Sequence, residues 1–142
     1  MVLVLISLSP DLDLHLEIHG LDVKASAAAW CLLLAACLRG SDIVFALDLS
    51  GSIGQQNVQQ MTQFLELLIG SLNVNGNDSD HTVSRIGMLA YSDTATIQFQ
   101  LNTFHTRPEI LQAINVRYIG GTTNAANAIR YNRWFGFSLV YA

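Results

Sequence analysis

Asp48, Ser50 and Ser52 fall within the stretch DIVFALDLSGSIG, residues 42–54. One carboxylate and two hydroxyls at alternate positions are hard oxygen donors, suited to Mg²⁺, Ca²⁺ or Mn²⁺ rather than to Zn²⁺. An apolar run, residues 43–47, leads into Asp48, and Gly51 and Gly54 follow it closely. That order predicts a buried strand handing over to a helix. In open α/β sheets ligands sit outside the carboxyl ends of the strands, which is where these three side chains fall. Gly51 lets the backbone turn tightly enough for alternate side chains to face inward. A bare helix N-terminus would attract an anion, so Asp48 is what makes the corner suit a cation.

The elements that must hold this corner follow in order. Val58, Met61, Phe64, Leu65, Leu68 and Ile69 recur at three- and four-residue steps, predicting a helix that Gly70 ends. Residues 73–82 (NVNGNDSDHT) form a polar loop. Two strands are expected next: RIGMLAY over 85–91, apolar enough to be covered on both faces, and ATIQFQL over 95–101, alternating as an edge strand does. Ser92-Asp93-Thr94 between them is short enough for a hairpin. Pro108 suits the first turn of a helix carrying Ile110, Leu111 and Ile114. The loop YIGGTTN, 118–124, then precedes a helix-like run from Ala125 to about Trp134, and residues 137–141 read as a further strand. This succession points to an open α/β sheet.

The 142 residues suit a single domain with a real core. Apolar residues make up 51%, and the excess lies in the first ten residues and in 25–38. The formal net charge is −4, the seven cations are scattered, and none occurs between Arg39 and Arg85, which argues against nucleic-acid binding. Cys31 and Cys37 read as small buried hydrophobes rather than as a disulfide framework or zinc ligands. The run 25–38, flanked by Lys24 and Arg39, is too short to span a bilayer as a helix. It reads either as the end of a secretory signal or as a buried helix, and LAAC within it is similar to a lipoprotein cleavage box. DLDLHLEIH, 11–19, alternates as a half-buried strand whose carboxylates and imidazoles form a solvated face.

Asp48-Leu49-Ser50-Gly51-Ser52 resembles the D-x-S-x-S metal-ion-dependent adhesion site of von Willebrand factor type A domains. The RIGMLAYSD strand and the GGTTN loop stand in the same order as in that family, and the resemblance covers residues 41 to about 133. It implies a partial doubly wound α/β sheet of the von Willebrand factor A type, residues 41–142, lacking its last strands and helices, after a separate segment 1–40. It further implies that Ser50 and Ser52 coordinate the metal directly, that Asp48 acts through water, and that Thr123, in preference to Thr122, completes the set. The cation would be Mg²⁺, or Mn²⁺ or Ca²⁺. An acidic group of a protein ligand, in the extracellular matrix or on a cell surface, would take the open coordination position. The expected protein is secreted, non-enzymatic and without a stable transmembrane span. The family's further Asp, in a Thr-Asp-Gly turn, has no counterpart here: no acidic residue follows Glu109. Asp48 is then the one anionic candidate of the site, and metal binding should be weak.

Two other readings compete. In the first, the chain is a remnant of the fold in which Ser50 and Ser52 merely cap a helix. In the second, Ser50-Gly51-Ser52-Ile53-Gly54 is a loose form of the nucleophile elbow of a serine hydrolase, with His81 or His105 as base. Ser50 stands where that motif needs its first glycine.

Overall fold

The computed structural model describes residues 2–9, 12–18, 40–74, 82–124, 126 and 130. Five strands form one mixed sheet: β1 (Val2–Ser9), β2 (Leu12–Ile18), β3 (Asp42–Asp48), β4 (Arg85–Tyr91) and β5 (Ala95–Phe99), in the order β2-β1-β3-β4-β5. Two helices accompany them, α1 (Gln55–Ser71) and α2 (Arg107–Ala113).

β3 and β4 are parallel, in register from Asp42↔Arg85 to Asp48↔Tyr91. Parallel strands need a crossover, and the 17-residue α1 supplies it. Its apolar stripe, Val58, Met61, Leu65, Leu68 and Ile69, packs with Ile43, Phe45 and Leu47 of β3 and Ile86, Met88 and Ala90 of β4 in one core. Val44, Ala46 and Leu89 occupy the alternate positions and are equally buried, so both faces of the central strands are covered. The near-continuous apolar text of β3 and β4 reflects that double coverage.

The helix predicted to stop at Gly70 runs to Ser71, and Leu72 follows in extended conformation, its N–H donating to the Ile69 carbonyl at 3.3 Å. Arg107 Nη2 donates to the Leu72 carbonyl at 2.8 Å, placing a cation at the end of α1 that favours one. β5 pairs antiparallel with β4 through the expected short hairpin and ends at Phe99, two residues before the predicted limit. Thr106 precedes α2, and Glu109 Oε2 accepts its N–H at 3.1 Å, which with Pro108 fixes where the helix begins.

The expectation that residues 1–40 stand apart from the domain meets a different arrangement. β1 pairs antiparallel with β3, from Val2↔Leu47 to Ser7↔Asp42, and β2 pairs antiparallel with β1. The alternating run at 12–18 is a strand as predicted. Residues 2–9 (VLVLISLS) are mostly apolar, and the strand they form is not among the elements expected from the sequence. The run 25–38, residues 75–81 of the loop expected over 73–82, and the expected strand 137–141 lie outside the described residues; of the helix expected from Ala125, positions 126 and 130 are described and are helical.

Removing residues 1–39 takes away the strand that pairs with β3 from Asp42 to Leu47. The shortened protein is expected to self-associate more strongly than the full chain in light scattering. Its residues 43–47 should also exchange amide hydrogens faster. Equal protection of β3 in both proteins would mean that the hairpin is not paired there in solution.

Candidate functional site

Asp48 ends β3 and is 2% exposed. Its Oδ1 accepts the Ser50 N–H at 3.0 Å, the local turn by which an aspartate redirects its own backbone two residues on. The turn leaves Ser50 buried and Ser52 exposed. Ser50 Oγ and Ser52 Oγ lie 3.1 Å apart. Thr123 Oγ1 donates to Ser50 Oγ at 2.8 Å and lies 3.4 Å from Ser52 Oγ. Three hydroxyls from two loops, more than 70 positions apart in sequence, thus meet at the carboxyl end of β3. Thr122 takes a different direction: its hydroxyl reaches the carboxylate of Asp93.

Backbone hydrogen bonds knit the loops together. Leu49 N–H donates to the Tyr91 carbonyl at 2.8 Å, extending the β3–β4 ladder by one step. Gly120 N–H donates to the Leu49 carbonyl at 3.0 Å, Gly51 N–H to the Gly121 carbonyl at 2.9 Å, and Asn124 N–H to the Ser92 carbonyl at 3.0 Å. Gly51 is needed for close approach more than for an unusual turn: a Cβ there would lie 3.2 Å from the Gly121 carbonyl oxygen. Gly121 has φ +87°, and a Cβ on it would come 2.6 Å from Asp93 Oδ2.

Asp93 is the residue that sequence reasoning passed over, since Ser92-Asp93-Thr94 reads as nothing more than a hairpin turn. Its Oδ1 accepts both the Thr122 N–H, at 2.7 Å, and the Thr122 hydroxyl. The hydroxyl bond first, and the N–H bond second, hold the Asp93 carboxyl below its ordinary range. The reading of Asp48 as the one anion near the site therefore needs amendment, because a second carboxylate lies against the threonine loop. No sequence spacing signals this, because 29 positions separate Asp93 from Thr122.

The structure also bears on the competing readings. The N-cap of α1 is Gly54, and no side chain caps the helix, so Ser50 and Ser52 are not helix caps. Their hydroxyls point to each other and to Thr123 instead. Among the described residues, Ser50 Oγ meets these two hydroxyls; His81, one of the two bases considered, lies outside the described residues.

The donor set can be tested against an ion by size. A triangle with sides of 2.8, 3.1 and 3.4 Å has corners about 1.8 Å from its centre. Mg–O bonds are about 2.0–2.1 Å, so one ion just above the plane can touch all three oxygens. In an octahedron of that bond length neighbouring oxygens are about 2.9 Å apart, close to the spacing here. The residues fit a small, hard divalent cation. Among the described residues no group of three His, Cys, Asp or Glu side chains forms an alternative centre.

Comparison with known proteins gives the family. Residues 42–135 match the von Willebrand factor type A domain, and the chain belongs to that family. The mouse collagen alpha-6(VI) chain is 31% identical over 102 residues, which are 70% of this chain and 4% of the relative. Human vitrin is 31% identical over 96 residues, 67% of this chain and 13% of the relative. Among solved structures, proximal thread matrix protein 1 from the mussel byssus, with a zinc-occupied MIDAS motif, aligns with a TM-score of 0.58 and 29% identity, covering 67% of this chain and 25% of that one. The chain therefore spans a small part of the length of these proteins.

Gly121→Ala would force a side chain into left-handed backbone and against Asp93. It is expected to lower stability by about 1–3 kcal/mol, read by urea denaturation, with the fold retained. Wild-type stability in this variant would mean that the loop can adopt another path.

Proposed function

We propose that this chain is a non-enzymatic binding module that holds a divalent cation on Ser50, Ser52 and Thr123, with Asp48 acting through water, and recognises an acidic group of a protein ligand. The observation that carries the reading is the triangle of three hydroxyl oxygens, drawn from two separate loops and sized for one ion. Bound there, the cation would supply an electrophilic centre for a carboxylate. Hydroxyl and carboxylate oxygens favour Mg²⁺ or Mn²⁺, with Ca²⁺ less well matched to so small a triangle. The family module begins at about residue 41, and the hairpin β1–β2 is an addition to it. The collagen and thread-matrix relatives support use in the extracellular matrix, and the run 25–38 is the candidate secretion signal. Among the described residues no helix is long and apolar enough to cross a membrane.

A second reading has one observation in its favour. The three hydroxyls already satisfy one another, so the cluster is self-sufficient as a structural staple between the two loops.

Calorimetric titration separates the two. The three oxygens are neutral, and hard-cation sites tighten as carboxylates are added. Mn²⁺ should therefore bind weakly to the chain alone and more tightly when an acidic peptide is present. The double substitution Asp48→Ala, Ser50→Ala should abolish both signals. Identical heats from the two proteins, with and without peptide, would leave the staple reading.

A further inference from the structure

We propose that Asp93 is a positioning residue for the cation site: its carboxylate clasps Thr122 and thereby sets the neighbouring Thr123 hydroxyl against Ser50 and Ser52. The inference rests on the proposed function and names the part of the chain that holds the site together.

Three observations converge on it. First, one oxygen, Asp93 Oδ1, takes both donors of Thr122, its N–H and its hydroxyl. Two bonds to one residue fix the local backbone and the side-chain rotamer together. The next residue, Thr123, leaves the clasp with its hydroxyl 2.8 Å from Ser50 Oγ. Second, the other oxygen, Asp93 Oδ2, fills the space a side chain at position 121 would need, so the glycine and the carboxylate are matched to each other. Third, Asn124, on the far side of Thr123, is bonded to the same hairpin. Its N–H reaches the Ser92 carbonyl at 3.0 Å, and its side-chain amide reaches the Asp93 carbonyl at 3.4 Å. Thr123 is therefore held from both flanks by residues 92 and 93.

The need for such a clasp follows from the loop itself. Residues 121–124 are all exposed, and Gly120 and Gly121 both have positive φ, so local sequence does little to restrict the path. A hydroxyl whose place beside two others must be held to within about 0.5 Å needs support from outside the loop. Asp93 gives that support without touching the three hydroxyls. Oδ1 is committed to Thr122 and Oδ2 faces Gly121, so its effect on an ion passes through Thr123.

Two measurements on the full chain test this. In metal-free protein, hydrogen exchange should show the Thr122 and Asn124 amides exchanging about tenfold faster or more in Asp93→Ala, with Leu89 in β4 unchanged. Unchanged exchange at Thr122 would overturn the clasp. With Mn²⁺ as probe, Asp93→Ala should weaken binding by about 10–100-fold, as losing the outer support of a metal site does. Thr123→Ala should weaken it by a similar factor, and the double variant should be no weaker than the single ones, since both remove the same contribution. The isosteric Asp93→Asn keeps an acceptor for both Thr122 donors and should recover most of the affinity. Additive losses, or Asp93→Asn as weak as Asp93→Ala, would show that the charge acts on the ion directly and would overturn positioning. If wild-type protein takes up no Mn²⁺, the proposed cation site fails, and the exchange measurement still decides the clasp by itself.

Discussion

The parallel pairing of β3 with β4 is the constraint on which the remainder depends. Two parallel strands joined in sequence must be linked by a crossover, and their carboxyl ends then emerge side by side. Asp48 and Tyr91 end their strands as register partners, so the loops 49–54 and 92–94 start next to each other. Whatever chemistry either loop carries is concentrated at one rim of the sheet. The opposite rim is closed by the forked ion pair of Arg85 with Asp42, which joins the first residues of the same two strands. Both groups there are partly solvated, so that pair steers register more than it adds stability.

At the functional rim the chain solves a packing problem with backbone atoms. Three loops approach closely, and the bonds from Leu49, Gly51, Gly120 and Asn124 satisfy groups that would otherwise be lost to the ladders. Side chains are then free for other uses. Asp48 is almost fully buried, and a buried carboxylate is costly unless a donor meets it; the Ser50 N–H does so. The three hydroxyls above that turn carry no formal charge. No Lys or Arg occurs between Arg39 and Arg85, so nothing in that stretch of sequence neutralises the acidic side of the site. The proposed cation would depend there on what its partner brings.

The hairpin β1–β2 changes the surroundings of the central strand. Along β3 one neighbour is parallel and the other antiparallel, and the antiparallel one comes from the N-terminal end of the chain. It covers six consecutive register positions, nearly the whole of β3. Among the described residues the last strand of the sheet on that side is β2, whose sequence alternates Leu or Ile with Asp13, His15 and Glu17. Charged residues in an edge strand oppose pairing with foreign strands, a task the apolar text of β3 could not perform.

Much of this was legible in the sequence, for reasons that are local. Apolar text in β3 and β4 follows from burial on both faces, the three- and four-residue steps of α1 from its single buried stripe, and the start of α2 from Pro108. The D-x-S-x-S spacing marked the rim because Asp48 and the two serines are near neighbours in the chain. Tertiary structure decided what distance in sequence hides. The family resemblance already singled out Thr123 over Thr122 as the partner of the serines, but that Thr122 meets Asp93 depends on two loops converging, and no residue near 122 announces it. That the serines do not cap α1 depends on how far the turn runs before Gly54. That residues 2–9 belong to the sheet depends on an edge of β3 being open to them. Periodicity records which face of an element is buried, and only the assembled sheet decides against which partner.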